Sequence, residues 1–267
     1  MSLNKEIILY LLLGFVQGIT EPLPISSSGH MVIFEHFLKL DFSNLNFKIF
    51  VNLASLLAII LYYRKFLIKI VKDFFLYLFK KDKDKKENFL YVIYVLFACI
   101  PSAIFGILFK DYIDLYLSNI LTVSLSLFFT SIILFTISFL SKKTVFKPIN
   151  LKRGLLIGVG QIIGLIPGIS RSGITTFFGV KNKVSLEDAL RFSFMMYIPT
   201  SLGALLLSFD SNSIFSSFNY LYLFSFVSSF IGTYLGIIFF FKLVKEKNFK
   251  YFAIYLLILS ILLLIVI

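Results

Sequence analysis

The sequence predicts an all-α polytopic membrane protein, built as six full transmembrane helices plus two re-entrant helix–loop–helix hairpins in an inverted-topology repeat. Three observations carry that prediction. Hydrophobic residues make up 58% of the 267 and charged residues 15%, with a mean hydropathy of +0.93, whereas a soluble domain is roughly a quarter charged. The apolar residues fall in runs near the ~17–25 that a bilayer-spanning helix needs. A polar-broken stretch near the N-terminus also returns in the middle of the chain.

The first apolar stretch, about 5–38, is interrupted by Pro22, Pro24 and the run Ser26, Ser27, Ser28. Glu21 and these residues stand where a signal peptide would have a small-residue cleavage site, so the stretch is expected to stay in the mature chain. Full spans follow at about 47–63, 89–109 and 118–140. A second interrupted stretch, about 152–183, is broken by Pro167, Gly168, Ser170 and Ser172. Three more spans close the chain, at about 188–208, 218–241 and 249–267. Irregular backbone at membrane depth is tolerated only where it is buried in protein or lines a cavity. Each interrupted stretch is therefore expected to enter the membrane and turn back. The whole chain reads as one membrane domain, 1–267, with a first repeat at about 1–140 and a second at about 150–267.

The basic residues orient these elements. Eighteen of the 26 Lys and Arg lie in the segments 64–88, 141–153 and 242–250, whereas loops 110–117 and 209–217 hold one and none. By the positive-inside rule the three basic segments are cytoplasmic, and the six spans alternate without conflict. The net charge of +12 is thus a topology signal and a contact with anionic lipid; nucleic acid is not expected as a partner. The lone Cys99 excludes an intrachain disulfide and a cysteine-rich metal site. His30 and His36 are six apart, which is not a helical metal-ligand spacing.

Shifted by 144 positions, the segment Gly14 to His30 lies over Gly158 to Ile174, with seven identities in seventeen. They pair Gly14 with Gly158, Gln17 with Gln161, Ile19 with Ile163, Ile25 with Ile169, Ser26 with Ser170, Ser28 with Ser172 and Gly29 with Gly173. Three full spans separate the copies, and an odd number reverses direction, so the copies are expected to point oppositely. Two hairpins entering from opposite faces can meet near the midplane, and the functional site is expected there.

The residues at the two breaks are chemically loaded. Gln17 and Glu21, four apart, share a face of a helix, and an ionisable residue in an apolar segment is by default a functional candidate. Ser26, Ser27 and Ser28 can cap the following helix, whose free N–H groups and positive dipole end suit a phosphate; His30 lies in its first turn. In the second break, Ser170 and Ser172 flank Arg171, and Thr175 follows. Arginine stays charged in any environment and can grip phosphate with two donors. Arg171 is also placed to neutralise Glu21 across the two copies.

These motifs resemble those of the undecaprenyl-diphosphate phosphatase family, also called the bacitracin-resistance protein family. The first is a Glu or Gln four residues before a Glu, running into Pro-x-Ser-Ser-x-Gly-His, here Gln17 to His30; the second is Pro-Gly-x-Ser-Arg-Ser-x-x-Thr, here Pro167 to Thr175. The resemblance extends end to end in length and hydropathy. It implies a hydrolase that removes the terminal phosphate of the C55 polyprenyl diphosphate, regenerating the monophosphate lipid carrier for peptidoglycan synthesis and conferring bacitracin resistance. It further implies a divalent cation, Mg²⁺ or Ca²⁺, a site facing the outer side of the bacterial plasma (inner) membrane, and a possible homodimer. Some relatives carry Glu at the position of Gln17; an amide is neither a base nor a charged metal ligand, so Glu21 carries those roles unaided.

On this reading Glu21, Ser27, His30 and Arg171 are the catalytic candidates, with Glu21 also the metal candidate. Gln17, Ser26, Ser28, Ser170, Ser172 and Thr175 are the substrate-binding candidates. Ser27 is expected as nucleophile or phosphate ligand with His30 as general base, oriented by Glu21; His30 as nucleophile and an activated water stay open. Architecture alone also admits an inverted-repeat transporter or a lipid-carrier flippase.

Overall fold

The computed structural model describes residues 3–39, 45–141, 146–208, 219–245 and 249–267. Ten α-helices lie among them: α1 (Leu3–Thr20), α2 (Ser27–Leu38), α3 (Leu45–Lys80), α4 (Lys86–Tyr112), α5 (Ile120–Leu140), α6 (Leu151–Ile163), α7 (Arg171–Lys181), α8 (Leu186–Ser208), α9 (Leu221–Lys245) and α10 (Phe249–Val266). No strand occurs among the described residues. Loop 209–217 and the basic residues Lys142, Lys143 and Lys247, all used above for orientation, lie outside them.

Among the described residues, six helical segments are long and apolar enough to cross a membrane: Leu3–Thr20, Lys83–Leu117, Ile120–Leu140, Leu186–Leu207, Leu221–Val244 and Phe249–Val266. The expected span 47–63 lies in the first half of α3, a 36-residue helix uninterrupted by Gly or Pro that is not among these six, whereas α1, expected as half of a re-entrant hairpin, is. Side chains such as Ile107, Leu108, Phe139, Leu206 and Ile265 are left exposed, a surface that suits acyl chains and not water.

Close approach between helices depends on small residues. A Cβ on Gly14 of α1 would collide with the backbone of Ser225 on α9, and a Cβ on Gly158 of α6 with that of Ala98 on α4. Where the surroundings are as apolar as the side chains, such backbone proximity and its van der Waals contact drive helix association. The helix pairs repeat with the sequence: α1 packs on α9 as α6 packs on α4, α3 meets α9 as α8 meets α4, and α5 meets α10. Counterparts in these pairs are five helices apart. Phe192 and Phe194 of α8 and Phe240 of α9 are fully buried in the central cluster.

Both interrupted stretches are helix–turn–helix. Leu13 of α1 and Met31 of α2 share a small cluster with Phe47 and Val51 of α3, flanked by Leu9, Tyr10 and Phe34. At the second stretch, the Lys147 N–H donates to the Lys183 carbonyl at 2.8 Å, and Arg153 Nε donates to the Asn182 carbonyl at 3.3 Å. The segment entering α6 and the segment leaving α7 therefore lie side by side.

Candidate active site

Local chemistry fixes the two turns in the same way. Ser26 precedes α2 and its Oγ accepts from the Gly29 N–H at 3.2 Å; Ser170 precedes α7 and its Oγ accepts from the Gly173 N–H at 3.1 Å. Each capping serine also lies 3.3 Å, hydroxyl to hydroxyl, from the serine two residues on, Ser28 or Ser172. Such a cap is worth about 1 kcal/mol, and here it also aims the first amides of two helices at one place. Ser26 adopts φ 68° and Gly168 φ 91°. At Gly168 only glycine fits, since a Cβ would strike Ser126 and the backbone of Val123 on α5.

The two turns touch. The position of a Cβ on Gly29 would be 3.0 Å from the Gly168 Cα, and Ser172 Oγ lies 3.5 Å from the Leu23 carbonyl. Thr130 of α5 holds the second turn from below, accepting from the Ser170 N–H at 3.2 Å and reaching the Gly168 carbonyl at 3.2 Å.

Between the turns lies a polar cleft of about 170 Å³, lined by Glu21, Ser26, Ser27 and Ser28 from the first and by Ser170, Arg171 and Ser172 from the second. Glu21 is its hub. Arg171 Nη2 donates to Glu21 Oε1 at 3.0 Å, Ser27 Oγ donates to Glu21 Oε2 at 2.5 Å, and Gln17 Nε2 donates to Oε2 at 3.0 Å. The Glu21 side chain is only 10% exposed and that of Arg171 20%, so the charges are compensated rather than solvated, as a buried pair requires. The Arg171 guanidinium also lies 4.0 Å over the ring of Tyr197 on α8. Arg171 borders a second, apolar cleft of about 460 Å³ between α4, α6 and α8, lined by residues including Ala103, Ile107, Leu165, Pro199 and Ala204.

The candidates thus separate. Glu21, Ser26, Ser27, Ser28, Ser170, Arg171 and Ser172 line one cleft, and Gln17 stands behind Glu21. His30 does not meet Ser27 or Glu21. Its Nδ1 lies 2.8 Å from the Ser26 carbonyl and its Nε2 2.7 Å from the Tyr255 hydroxyl on α10. A carbonyl only accepts, so Nδ1 carries a proton, and in that tautomer Nε2 is the acceptor for the tyrosine's hydrogen. Thr175 also turns away, bonding the Arg171 carbonyl and the Ser193 hydroxyl, each at 2.7 Å. Sequence reasoning missed Asn52 on α3, whose Oδ1 accepts from Gln17 at 3.3 Å, and also Tyr197 and Tyr255. The distance of Asn52, Tyr197 and Tyr255 from the motifs along the chain left no signal.

Among the described residues, no group of three or more His, Cys, Asp or Glu could hold a metal. The arrangement offers a carboxylate hydrogen-bonded to a serine hydroxyl, an arginine, and two helix N-termini around one hollow, with an apolar channel beside it. That constellation can hold a phosphorylated headgroup on a lipid tail and deliver an oxygen nucleophile to it.

A family profile described as "Bacitracin resistance protein BacA" matches residues 10–262. The chain is 42% identical over 262 residues to undecaprenyl-diphosphatase 2 of Bacillus thuringiensis (strain Al Hakam), covering 97% of both chains. It is 38% identical over 264 residues to undecaprenyl-diphosphatase of Oceanobacillus iheyensis, covering 97% of this chain and 96% of the relative. Against undecaprenyl-diphosphatase 1 of Bacillus licheniformis it is 36% identical over 253 residues, covering 93% and 94%.

Proposed function

The chain belongs to the bacitracin resistance protein family, and from that premise we propose that it is an undecaprenyl-diphosphate phosphatase. It hydrolyses the terminal phosphate of the C55 diphosphate lipid, returns the monophosphate carrier to peptidoglycan synthesis and confers bacitracin resistance. The observation that carries the reading is the convergence of Glu21, Ser27 and Arg171 on one polar cleft that adjoins an apolar one. Nearly full-length matches to diphosphatases favour hydrolysis over the transport reading.

In this mechanism the diphosphate enters the polar cleft and the prenyl tail follows the apolar one. Arg171 and the amides at the starts of α2 and α7 hold the phosphoryl oxygens, the positioning and charge stabilisation that phosphoryl transfer needs most. Ser27 Oγ attacks the terminal phosphorus as its proton passes to Glu21 Oε2. The bond from that phosphorus to the bridging oxygen breaks, and the monophosphate lipid departs with the proton. Water then attacks the phosphoserine, Glu21 takes its proton, Ser27 regains one, and orthophosphate is freed. The 2.5 Å Ser27–Glu21 bond favours this couple over Ser27–His30. His30 serves as a positioning residue that braces the Ser26 turn.

A divalent cation, magnesium or calcium, rests on the family resemblance; Glu21 would be its single carboxylate ligand, exchanging a present donor for it, and substrate phosphates would complete the set. It would supply neutralisation of the negative charge on the diphosphate.

The finer architecture belongs to the same proposal. The two interrupted stretches are re-entrant hairpins in a single domain of inverted halves, about 1–140 and 150–267. Support comes from the matched serine caps, from the helix pairs that recur five places on, and from the adjacent ends of the second stretch. The bacterial plasma (inner) membrane as location, a cleft facing its outer side, and a homodimer rest on the family resemblance.

The test is phosphate release from undecaprenyl diphosphate by purified protein in detergent. Wild type should release phosphate, with loss on chelation and recovery with magnesium or calcium. Arg171→Ala should be at least ~100-fold slower, the usual loss for one charge-stabilising donor. Folded wild type that releases none with either cation overturns the proposal.

A further inference from the structure

A third hollow, of about 250 Å³, lies away from the polar cleft, where the segment entering α6 meets the end of α7. Lys147, Lys152, Arg153, Lys181 and Lys183 line it, with Asn150 and Asn182. From this convergence we infer a binding site for a phosphate-bearing anion at the cytoplasmic face, of the kind an anionic lipid headgroup presents.

The hollow differs from the chain's other dense basic run. Between Lys80 and Glu87 the lysines alternate with Asp82, Asp84 and Glu87, which is a self-neutralising solvated loop. The hollow's lining holds five cations and no carboxylate. Lys147, Lys152, Lys181 and Lys183 have no ion pair among the described residues. Asp188, on the neighbouring helix, is taken by Ser185 and Arg191.

The backbone holds these cations together. Two bonds clip its walls, Lys147 N–H to the Lys183 carbonyl and Arg153 Nε to the Asn182 carbonyl, while Arg153 Nη1 donates to the Pro148 carbonyl. Lys183 adopts φ 66°, the left-handed turn in which helices commonly end, which closes α7 beside the segment entering α6. Asn150 caps α6 through the Arg153 N–H at 3.0 Å, so the N-terminus of α6 borders the hollow that Asn150, Lys152 and Arg153 line. The C-terminus of α7 supplies about half a negative charge, too little for five cations. Topology requires only that positive charge be present on this side; it does not require a walled concavity. Basic pockets between membrane helices on the cytoplasmic side are a recurrent form of lipid headgroup site.

The site is about 15 Å along α7 from Arg171, at 1.5 Å per residue, so its variants leave the polar cleft intact. The experiment follows thermal stabilisation of the full chain in a neutral detergent on addition of phosphatidylglycerol or cardiolipin, phosphatidylcholine, or inorganic pyrophosphate. Exposed lysines are changed in pairs: Lys152→Gln with Lys183→Gln in the hollow, and Lys81→Gln with Lys83→Gln as an equal-charge control. Anionic lipid should stabilise wild type and control at the same concentration, the hollow pair should need at least ~5-fold more, and phosphatidylcholine should do nothing. Phosphate release by the hollow pair should match wild type. Stabilisation by lipid alone identifies a headgroup; the same residue dependence with pyrophosphate identifies a soluble anion at the same site. Equal shifts in both double variants, or no stabilisation of wild type by any of the anions, overturn the inference.

Discussion

Glu21 receives three donors at once, from Arg171, Ser27 and Gln17, and this separates the roles of the residues around it. Ser27→Ala should lower the rate of phosphate release by at least ~100-fold and leave the thermal midpoint within a degree or two. His30→Ala should lower both, because it removes the Nδ1–H donor to the Ser26 carbonyl and leaves Tyr255 unpaired, each buried loss costing about 1–3 kcal/mol. Release rates beside melting curves test the division; a His30→Ala protein that is inactive yet as stable as wild type would put His30 into the chemistry. Glu21, Ser27 and Arg171 were legible because polar residues crowding inside apolar stretches need a reason. Asn52, Tyr197 and Tyr255 each stand between apolar neighbours, on helices that carry other polar residues as well. Only tertiary packing determines which of such residues turn toward a site.

The interrupted stretches are where the sequence spoke most clearly about the elements, since prolines, glycines and capping serines mark helix ends by local stereochemistry. Span limits were legible to within a few residues for α5 and α10. The length of α3 was not, because hydropathy fades after Tyr63 while helix geometry, with no Gly or Pro to stop it, runs on to Lys80. The glycines make a prediction at this scale. Gly158→Leu should splay α6 from α4 and cost several degrees of thermal midpoint, because its Cβ meets backbone at Ala98. Gly203→Ala, inside α8 with nothing within 4 Å of the added atom, should be neutral or raise the midpoint, as expected from its gain in helix propensity. Equal effects would mean that close helix approach does not organise this fold.

At the scale of the molecule, the repeated sequence was legible in seven identities, but which helices pack together was not, because helix partners are distant in sequence. Side-specific labelling of single cysteines, placed on a Cys99→Ser background, tests the arrangement. Lys147→Cys and Lys183→Cys should react from the cytoplasmic side together with Lys83→Cys, and Asp114→Cys from the opposite side. Reaction of Lys147→Cys and Lys183→Cys from opposite sides would make the second stretch a full crossing. The Glu21–Arg171 pair has one further consequence. In the proposed mechanism Glu21 is a resident competitor for the arginine that grips the substrate, and it recaptures that arginine whenever a phosphate lets go. Such a rival weakens the hold on substrate and orthophosphate alike and hastens product escape. A site built this way is suited to fast turnover of its lipid and poorly suited to storing it.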